Sequence, residues 1–147
     1  MPEVVVERVI AAPREQVYQL AKNMEAFAEY LPNAKEIRTL ERLADSQLTE
    51  WVTQLKGMTF RWVERESFDD ENLKIYYEQT EGDLAVMKGE WSFEEHPEGT
   101  HVTLTCTFEF GMPALAAVLN PIGAIAVREN ISKLLEALDR MAQAARE

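Results

Sequence analysis

From Lys35 to Phe110 the apolar residues recur at every second position, and beyond Pro121 they recur at every third and fourth. This change of period constrains the fold more than any other feature of the chain. Period two belongs to strands with one dry face, and the longer period to a helix with one dry stripe. Turn-forming clusters cut the first stretch at Asp45-Ser46, Gly57, Asp69-Asp70-Glu71-Asn72, Glu81-Gly82-Asp83 and Pro97-Glu98-Gly99. Six strands result, each expected to pair antiparallel with the next. In the last, Val102, Leu104, Cys106, Phe108 and Phe110 point one way, with Thr103, Thr105, Thr107 and Glu109 opposite. The strand before it sets Met87, Gly89, Trp91 and Phe93 against Lys88, Glu90, Ser92 and Glu94.

A further strand is expected over residues 3–11, rich in Val and Ile. Pro13 then suits the first position of a helix whose stripe is Val17, Leu20, Ala21 and Met24. Asn23 is placed to cap a second short helix with Phe27, Tyr30 and Leu31, which Pro32 ends. At the far end, Ile131, Leu134, Leu135, Leu138, Met141, Ala142 and Ala145 form one stripe. A helix from Pro121 to Ala145 runs ~37 Å, and a ten-residue strand spans ~33 Å. The helix is therefore long enough to cross the sheet. The expectation is an α+β domain: a seven-stranded curved antiparallel sheet wrapped around a long C-terminal helix, with two short helices after the first strand.

The chain has 147 residues, which suits one domain over 1–147 with a core of its own. With 46% hydrophobic and 28% charged residues it does not read as disordered. A net charge of −11 opposes phosphate backbones, so no nucleic-acid partner is expected. One cysteine, Cys106, excludes an internal disulfide and suits a cytoplasmic protein. With only His96 and His101 beside it, no zinc site of the usual Cys/His kind is expected, and no metal or other cofactor. Charges interrupt the apolar run at the start of the chain, so no signal peptide is expected.

The 18 residues from Phe110 to Val127 carry no charge. Pro113, Pro121, Gly111 and Gly123 argue against a membrane span there. The segment reads first as a buried corner between strand and helix, and second as a lip that touches lipid. The Asn120-Pro121 step is expected to break the helix, leaving Leu115, Val118 and Leu119 on a flap that admits ligand.

No catalytic set is visible, so no catalytic residue is assigned. Cys106 has the apolar parity of its strand and His101 the opposite one, while His96 falls in a turn. The Asp69-Asp70-Glu71 run reads as a solvated hairpin tip. Thr53 and Glu64 share parity with Trp51 and Trp62 and turn inward, and Asn130 sits at the edge of the helix stripe. A glutamate facing a dry pocket takes up a proton more readily and can serve as acid or base.

Several segments carry a family resemblance. They are Ile10-Ala11-Ala12-Pro13 leading into Val17-Tyr18, Tyr30-Leu31-Pro32, Lys35-Glu36-Ile37-Arg38, Gly89-Glu90-Trp91-Ser92-Phe93, Phe108-Glu109-Phe110, and Asn130 ahead of Leu134-Leu135. In order and spacing they resemble the START-related superfamily of helix-grip proteins, in its bacterial polyketide cyclase/dehydrase and coenzyme-Q-binding-like branch. Asn33 departs from the coenzyme-Q-binding members, which carry an aromatic residue there.

The resemblance implies an internal cavity between sheet and helix. It would hold a small hydrophobic ligand such as a lipid, an isoprenoid quinone or a polyketide. The implied ligand-binding set is Trp51, Thr53, Trp62, Tyr77, Met87, Trp91, Leu104, Phe108, Phe110, Leu119, Ile122, Ala126 and Asn130. Sparse inward polar groups favour a binding or transfer protein. A polyketide cyclase/dehydratase acting in the same cavity is the alternative. An interaction module is the third reading, favoured by a cavity too small for a ligand of a few hundred cubic ångströms. The expected partners are the ligand and, transiently, a membrane surface, with the chain a monomer or weak homodimer.

Overall fold

The structure, a computed structural model, describes residues 1–55 and 57–146. Seven strands form one antiparallel sheet in the order β1-β7-β6-β5-β4-β3-β2. They are β1 (Glu3–Ile10), β2 (Ala34–Arg42), β3 (Ser46–Leu55), β4 (Met58–Asp69), β5 (Lys74–Gly82), β6 (Val86–His96) and β7 (Gly99–Glu109). β2 to β7 follow one another as hairpin neighbours, as the turn clusters predict. β1 closes the far side on β7, pairing Val4 with Cys106 and Val6 with Leu104.

The predicted parity of the last strand holds. Val102, Leu104, Cys106 and Phe108 are buried, while Thr103, Thr105 and Thr107 are only half-buried. A slip of one residue would have exchanged these two sets. Trp91 and Phe93 are likewise buried on β6.

Between β1 and β2 stand α1 (Arg14–Lys22) and one 3-10 helix (Met24–Glu29). Two details differ from the sequence reading. Pro13 is extended and precedes the helix, and Asn23 makes no side-chain cap. Val17, Tyr18, Ala21, Met24 and Phe27 are buried, so this pair of elements joins the core through the stripe that its spacing predicts. Tyr18 packs edge-on against Phe93, and its hydroxyl donates to Asp70 at 2.7 Å.

The largest correction concerns α2. It runs without interruption from Ala116 to Ala144, after a short 3-10 turn over Pro113–Leu115. Pro121 lies inside the helix and does not break it. A proline forfeits the hydrogen bond to the carbonyl four residues back. That carbonyl belongs to Ala117, which is exposed, as is Pro121, so the lost bond falls on the solvent side of the helix. No break remains at which a flap could hinge.

The segment from Phe110 to Val127 is not a buried corner either. A continuous helix keeps one stripe against the sheet. Gly123 and Ile131 occupy it, so Val118, Ile122 and Ile125 face away and are more than 60% exposed. α2 lies across β1 and β7 and against α1. Its second half, through Ile131, Leu134, Leu135, Leu138 and Met141, is the predicted core stripe. Among the described residues, no helix is long and apolar enough to cross a membrane.

Candidate functional site

Between the concave face of the sheet and α2 lies a partly open cavity of about 100 Å³. Its wall is built strand by strand from inward positions: Trp51 on β3, Phe60, Trp62 and Glu64 on β4, Tyr77 and Gln79 on β5, Met87 and Trp91 on β6, Leu104 and Cys106 on β7. Phe110 follows at the end of β7, and Met24 closes the side toward the 3-10 helix. α2 contributes Gly123, Ala126, Val127, Asn130, Ile131 and Leu134. Gly123 sets the closeness of the helix. A Cβ there would sit 2.5 Å from the Phe110 ring.

The expected site residues divide into two groups. Trp51, Trp62, Tyr77, Met87, Trp91, Leu104, Phe110, Ala126 and Asn130 stand together in the wall. Thr53, Phe108, Leu119 and Ile122 stand outside it. Thr53 and Phe108 are buried, Phe108 packing edge-on behind Phe110. Leu119 is half-buried and Ile122 is exposed, because the helix continues through Pro121 and turns them off the cavity.

The rings set the shape. Trp51 and Trp62, direct partners across β3 and β4, stack at 5.6 Å with 9° between their planes. Gly82 faces Trp62 across β5, where a Cβ would come within 2.6 Å of the Trp62 Cβ. Just beyond, the β4–β5 register shifts between Val63 and Glu64. A bulge of this kind re-aims side chains beside a site. Here it brings Glu64 opposite Gln79, so both reach the cavity.

Behind the tryptophans lies a buried polar network. The Trp62 indole N–H donates to Glu64 Oε1 at 2.7 Å, and the Trp51 indole N–H to Thr49 Oγ1 at 2.8 Å. Thr49 in turn donates to Glu66 Oε2 at 2.6 Å, and Gln47 Nε2 to Glu66 Oε1 at 3.0 Å. Glu66 is fully buried and Glu64 nearly so. Burial, then the negative charge of Glu66 and the hydrogen bond between the two carboxyls, hold the Glu64 pKa well above the usual carboxylate range. The Trp62 indole pulls the other way and is outweighed. Glu64 thus takes up a proton more readily than an ordinary glutamate, and its neighbour in the network is a second acid rather than a base.

The remaining polar groups are mostly committed elsewhere. Tyr77 donates its hydroxyl to the Thr105 carbonyl, and burial raises its pKa. Burial also pushes the Cys106 thiol up to about 11, so it is no thiolate. Asn130 Oδ1 accepts from Asn33 Nδ2 at 3.3 Å, which ties α2 to the start of β2. Asn33, the residue that departs from the coenzyme-Q-binding pattern, is therefore the partner of the helix amide. At the rim, Arg61 binds Glu50 and Glu81, and these pairs with Arg38 hold Glu50 below the usual carboxylate range. Among the described residues, no three His, Cys, Asp or Glu side chains are grouped to hold a metal ion.

Sequence reasoning found Glu64 as an inward acid but passed over Glu66, Gln47, Thr49 and Gln79. The signal was present: Trp62, Glu64 and Glu66 share one parity, as do Gln47, Thr49, Trp51 and Thr53. Two facing strands with polar inward positions are uncommon, and together they point to a network.

The comparisons with known proteins agree with this architecture. Residues 10–135 match the family described as polyketide cyclase/dehydrase and lipid transport. The chain is 26% identical over 115 residues to the actinorhodin polyketide synthase bifunctional cyclase/dehydratase of Streptomyces coelicolor. That match covers 74% of this chain but 36% of the enzyme, so the chain spans about a third of that relative. A crystal structure of TTHA0849 from Thermus thermophilus superposes with a TM-score of 0.94 at 36% identity, covering 99% of this chain and 100% of that one. The Zhui aromatase/cyclase of Streptomyces sp. R1128 shares the fold, with a TM-score of 0.84 at 22% identity over 99% of this chain and 96% of that one. With its helix-grip fold and a match over most of its length, the chain belongs to the polyketide cyclase/dehydrase and lipid transport family.

Proposed function

We propose that this chain binds and carries a small hydrophobic ligand in the cavity between β3–β7 and α2. The observation that supports this reading is the wall itself. Aromatic and aliphatic side chains from five strands converge with small residues of α2 on one partly open space. Ligand sites are mostly apolar with a few placed polar groups, and here those are Glu64, Gln79 and Asn130. At about 100 Å³ the cavity as it stands is smaller than a ligand of a few hundred cubic ångströms, which on size alone favours the interaction-module reading, and it has room for one ring-sized group. A larger isoprenoid, lipid or polyketide requires the rim at Leu84, Phe110 and the first turns of α2 to move outward. The protein acts in the cytoplasm as a monomer or weak homodimer, and meets membranes at most transiently.

The test is direct. Trp51, Trp62 and Trp91 line the cavity, so a bound ligand quenches their fluorescence. A panel of fatty acids, quinones and aromatic polyketides, with native mass spectrometry of freshly purified protein, identifies the class. No quenching and no thermal shift across the panel would leave the cavity a packing gap and favour a protein-interaction module.

One observation favours a second reading, an enzyme of the cyclase/dehydratase type. Glu64, whose pKa burial and Glu66 raise above the usual carboxylate range, lies beside the cavity, where it could carry a proton. In a dehydration it would give that proton to a departing β-hydroxyl, so that C–O breaks and water leaves. The carboxylate left behind would then take the proton from the neighbouring carbon as the double bond forms. On this reading Glu64→Gln abolishes turnover and keeps ligand quenching. Unchanged turnover in that variant would remove the acid role.

A further inference from the structure

The polar end of the cavity has an unusual balance of donors and acceptors. Glu64 and Glu66 bring four carboxyl oxygens, and the donors that reach them among the described residues are neutral: the Gln47 amide, the Thr49 hydroxyl and the Trp62 indole. Opposite Glu64, Gln79 is held by its own amide N–H, which donates to the Leu84 carbonyl at 2.6 Å. That contact fixes the orientation of the amide and leaves Gln79 Oε1 buried with no partner. Among the described residues of the wall Arg61 is the one cation, and its guanidinium is engaged by Glu50 and Glu81 at the rim.

We propose that Glu64 and Gln79, with Glu66 buried behind the wall, form an acceptor subsite that takes the hydroxyl of a neutral phenolic or enolic ligand and turns away carboxylates. Gln79 Oε1 is closed off in the empty cavity, so a hydroxyl that displaces its neighbours would supply the donor it lacks, with the stacked Trp51–Trp62 rings as a wall for the ligand ring. A carboxylate would bring a second negative charge beside the acid pair with no free cation to meet it. Like charges in a desolvated site repel strongly. The chain would therefore discriminate between head groups by charge and by donor, not by apolar fit alone. This inference rests on the reading of the cavity as a ligand site.

Three probes of one size separate the possibilities: phenol, anisole and benzoate at neutral pH. Each is titrated into the protein while the indole N–H resonances of Trp51 and Trp62 are followed, since both N–H groups end in the network. Phenol should bind about tenfold or more tightly than anisole, which lacks the donor. Benzoate should bind more weakly than either. Gln79→Leu should bring phenol and anisole to near parity, and Glu66→Gln should raise the affinity for benzoate. If Glu66→Gln does not fold, the wild-type series and Gln79→Leu still decide. Benzoate equal to phenol, or anisole equal to phenol, overturns the acceptor subsite and leaves the cavity reading standing. Indole resonances that move with none of the three probes overturn the cavity reading, and the subsite with it.

Discussion

The two halves of the concave face are built from opposite materials. On β1, β6 and β7 the inward side chains are Val4, Val6, Trp91, Phe93, Val102, Leu104, Cys106 and Phe108, all buried. On β3 and β4 they are Gln47, Thr49, Trp51, Thr53, Trp62, Glu64 and Glu66, also buried. One sheet, one face and similar burial give a dry wall and a hydrogen-bonded wall. The difference follows what covers each. α2 packs across β1 and β7, where apolar contact suffices. The β3–β4 wall meets the cavity through Trp51, Trp62 and Glu64, as the dry wall does through Trp91, Leu104 and Cys106, and behind it Gln47, Thr49 and Glu66 are joined to the indoles by a chain of hydrogen bonds. Apolar replacements of buried charged groups are often neutral or stabilising. A wall that keeps Glu64 at the cavity, with Glu66 buried behind it, is therefore better explained by what it binds than by stability.

The comparison is broken most severely on the dry side. Phe108 is fully buried against Phe110 and outside the cavity wall. Phe108→Ala should cost about 3–5 kcal/mol through lost contact and a cavity that only partly collapses. Urea denaturation measures it. A loss under about 1 kcal/mol would mean that the dry wall is not the main support of the fold.

The acid pair supplies the next test. In the unfolded chain Glu64 titrates near the ordinary glutamate value of about 4.3. In the fold it titrates higher, because it is buried and faces Glu66, with Tyr77 and Cys106 on the neighbouring strands. Between the two values the folded state binds more protons than the unfolded state. Stability attributable to Glu64 therefore falls as pH rises through that window and levels off above it. Glu64→Gln should remove the fall, so that the variant gains on wild type from acid to neutral pH. Parallel stability–pH curves for the two proteins would place the titrating group elsewhere.

On the polar side an apolar substitution should hurt wherever it strands a partner. Gln47→Leu takes the donor from Glu66 Oε1 and leaves a buried carboxyl oxygen unpaired. A loss of about 1–3 kcal/mol is expected. Calorimetry reads it directly, and an unchanged or raised Tm would show that Glu66 draws its support from Thr49 alone.

These tests also mark what the sequence made legible. Strand number, hairpin order and the parity of β6 and β7 were readable because apolar and polar residues alternate cleanly there. The polar wall was half readable. Thr53 and Glu64 have the parity of tryptophans, but Glu66, Thr49 and Gln47 acquire meaning only when β3 lies beside β4. The register that brings Gln47 opposite Glu66 is a long-range fact. The α2 boundary was misread for a local reason. A proline near a helix N-terminus resembles a stop, and whether its neighbour's carbonyl can reach water depends on exposure that the sequence does not display. Leu119 and Ile122 left the cavity for the same reason, since the extra helical turns fix which face they present.

The smallest effect has the opposite sign from the last. Thr53 sits on the polar wall between Ala34 of β2 and Phe60 of β4, and is 2% exposed. Its hydroxyl oxygen is buried without a partner, unlike those of Thr49 and Thr100. A buried hydroxyl that makes no hydrogen bond carries a desolvation cost and returns nothing. Valine keeps the β-branched shape, which suits a strand, and replaces the hydroxyl by a methyl. Thr53→Val should therefore stabilise the protein by about 1 kcal/mol, a rise in Tm of about 2–4 °C for a chain of this size. The side chain lies outside the cavity wall, so the affinity for phenol should stay the same. A fall in Tm would mean that the Thr53 hydroxyl has a partner in solution, such as a bound water shared with the Asn33 side-chain oxygen, which is also buried and unpaired. The polar wall would then extend one strand further, from β3 to the start of β2.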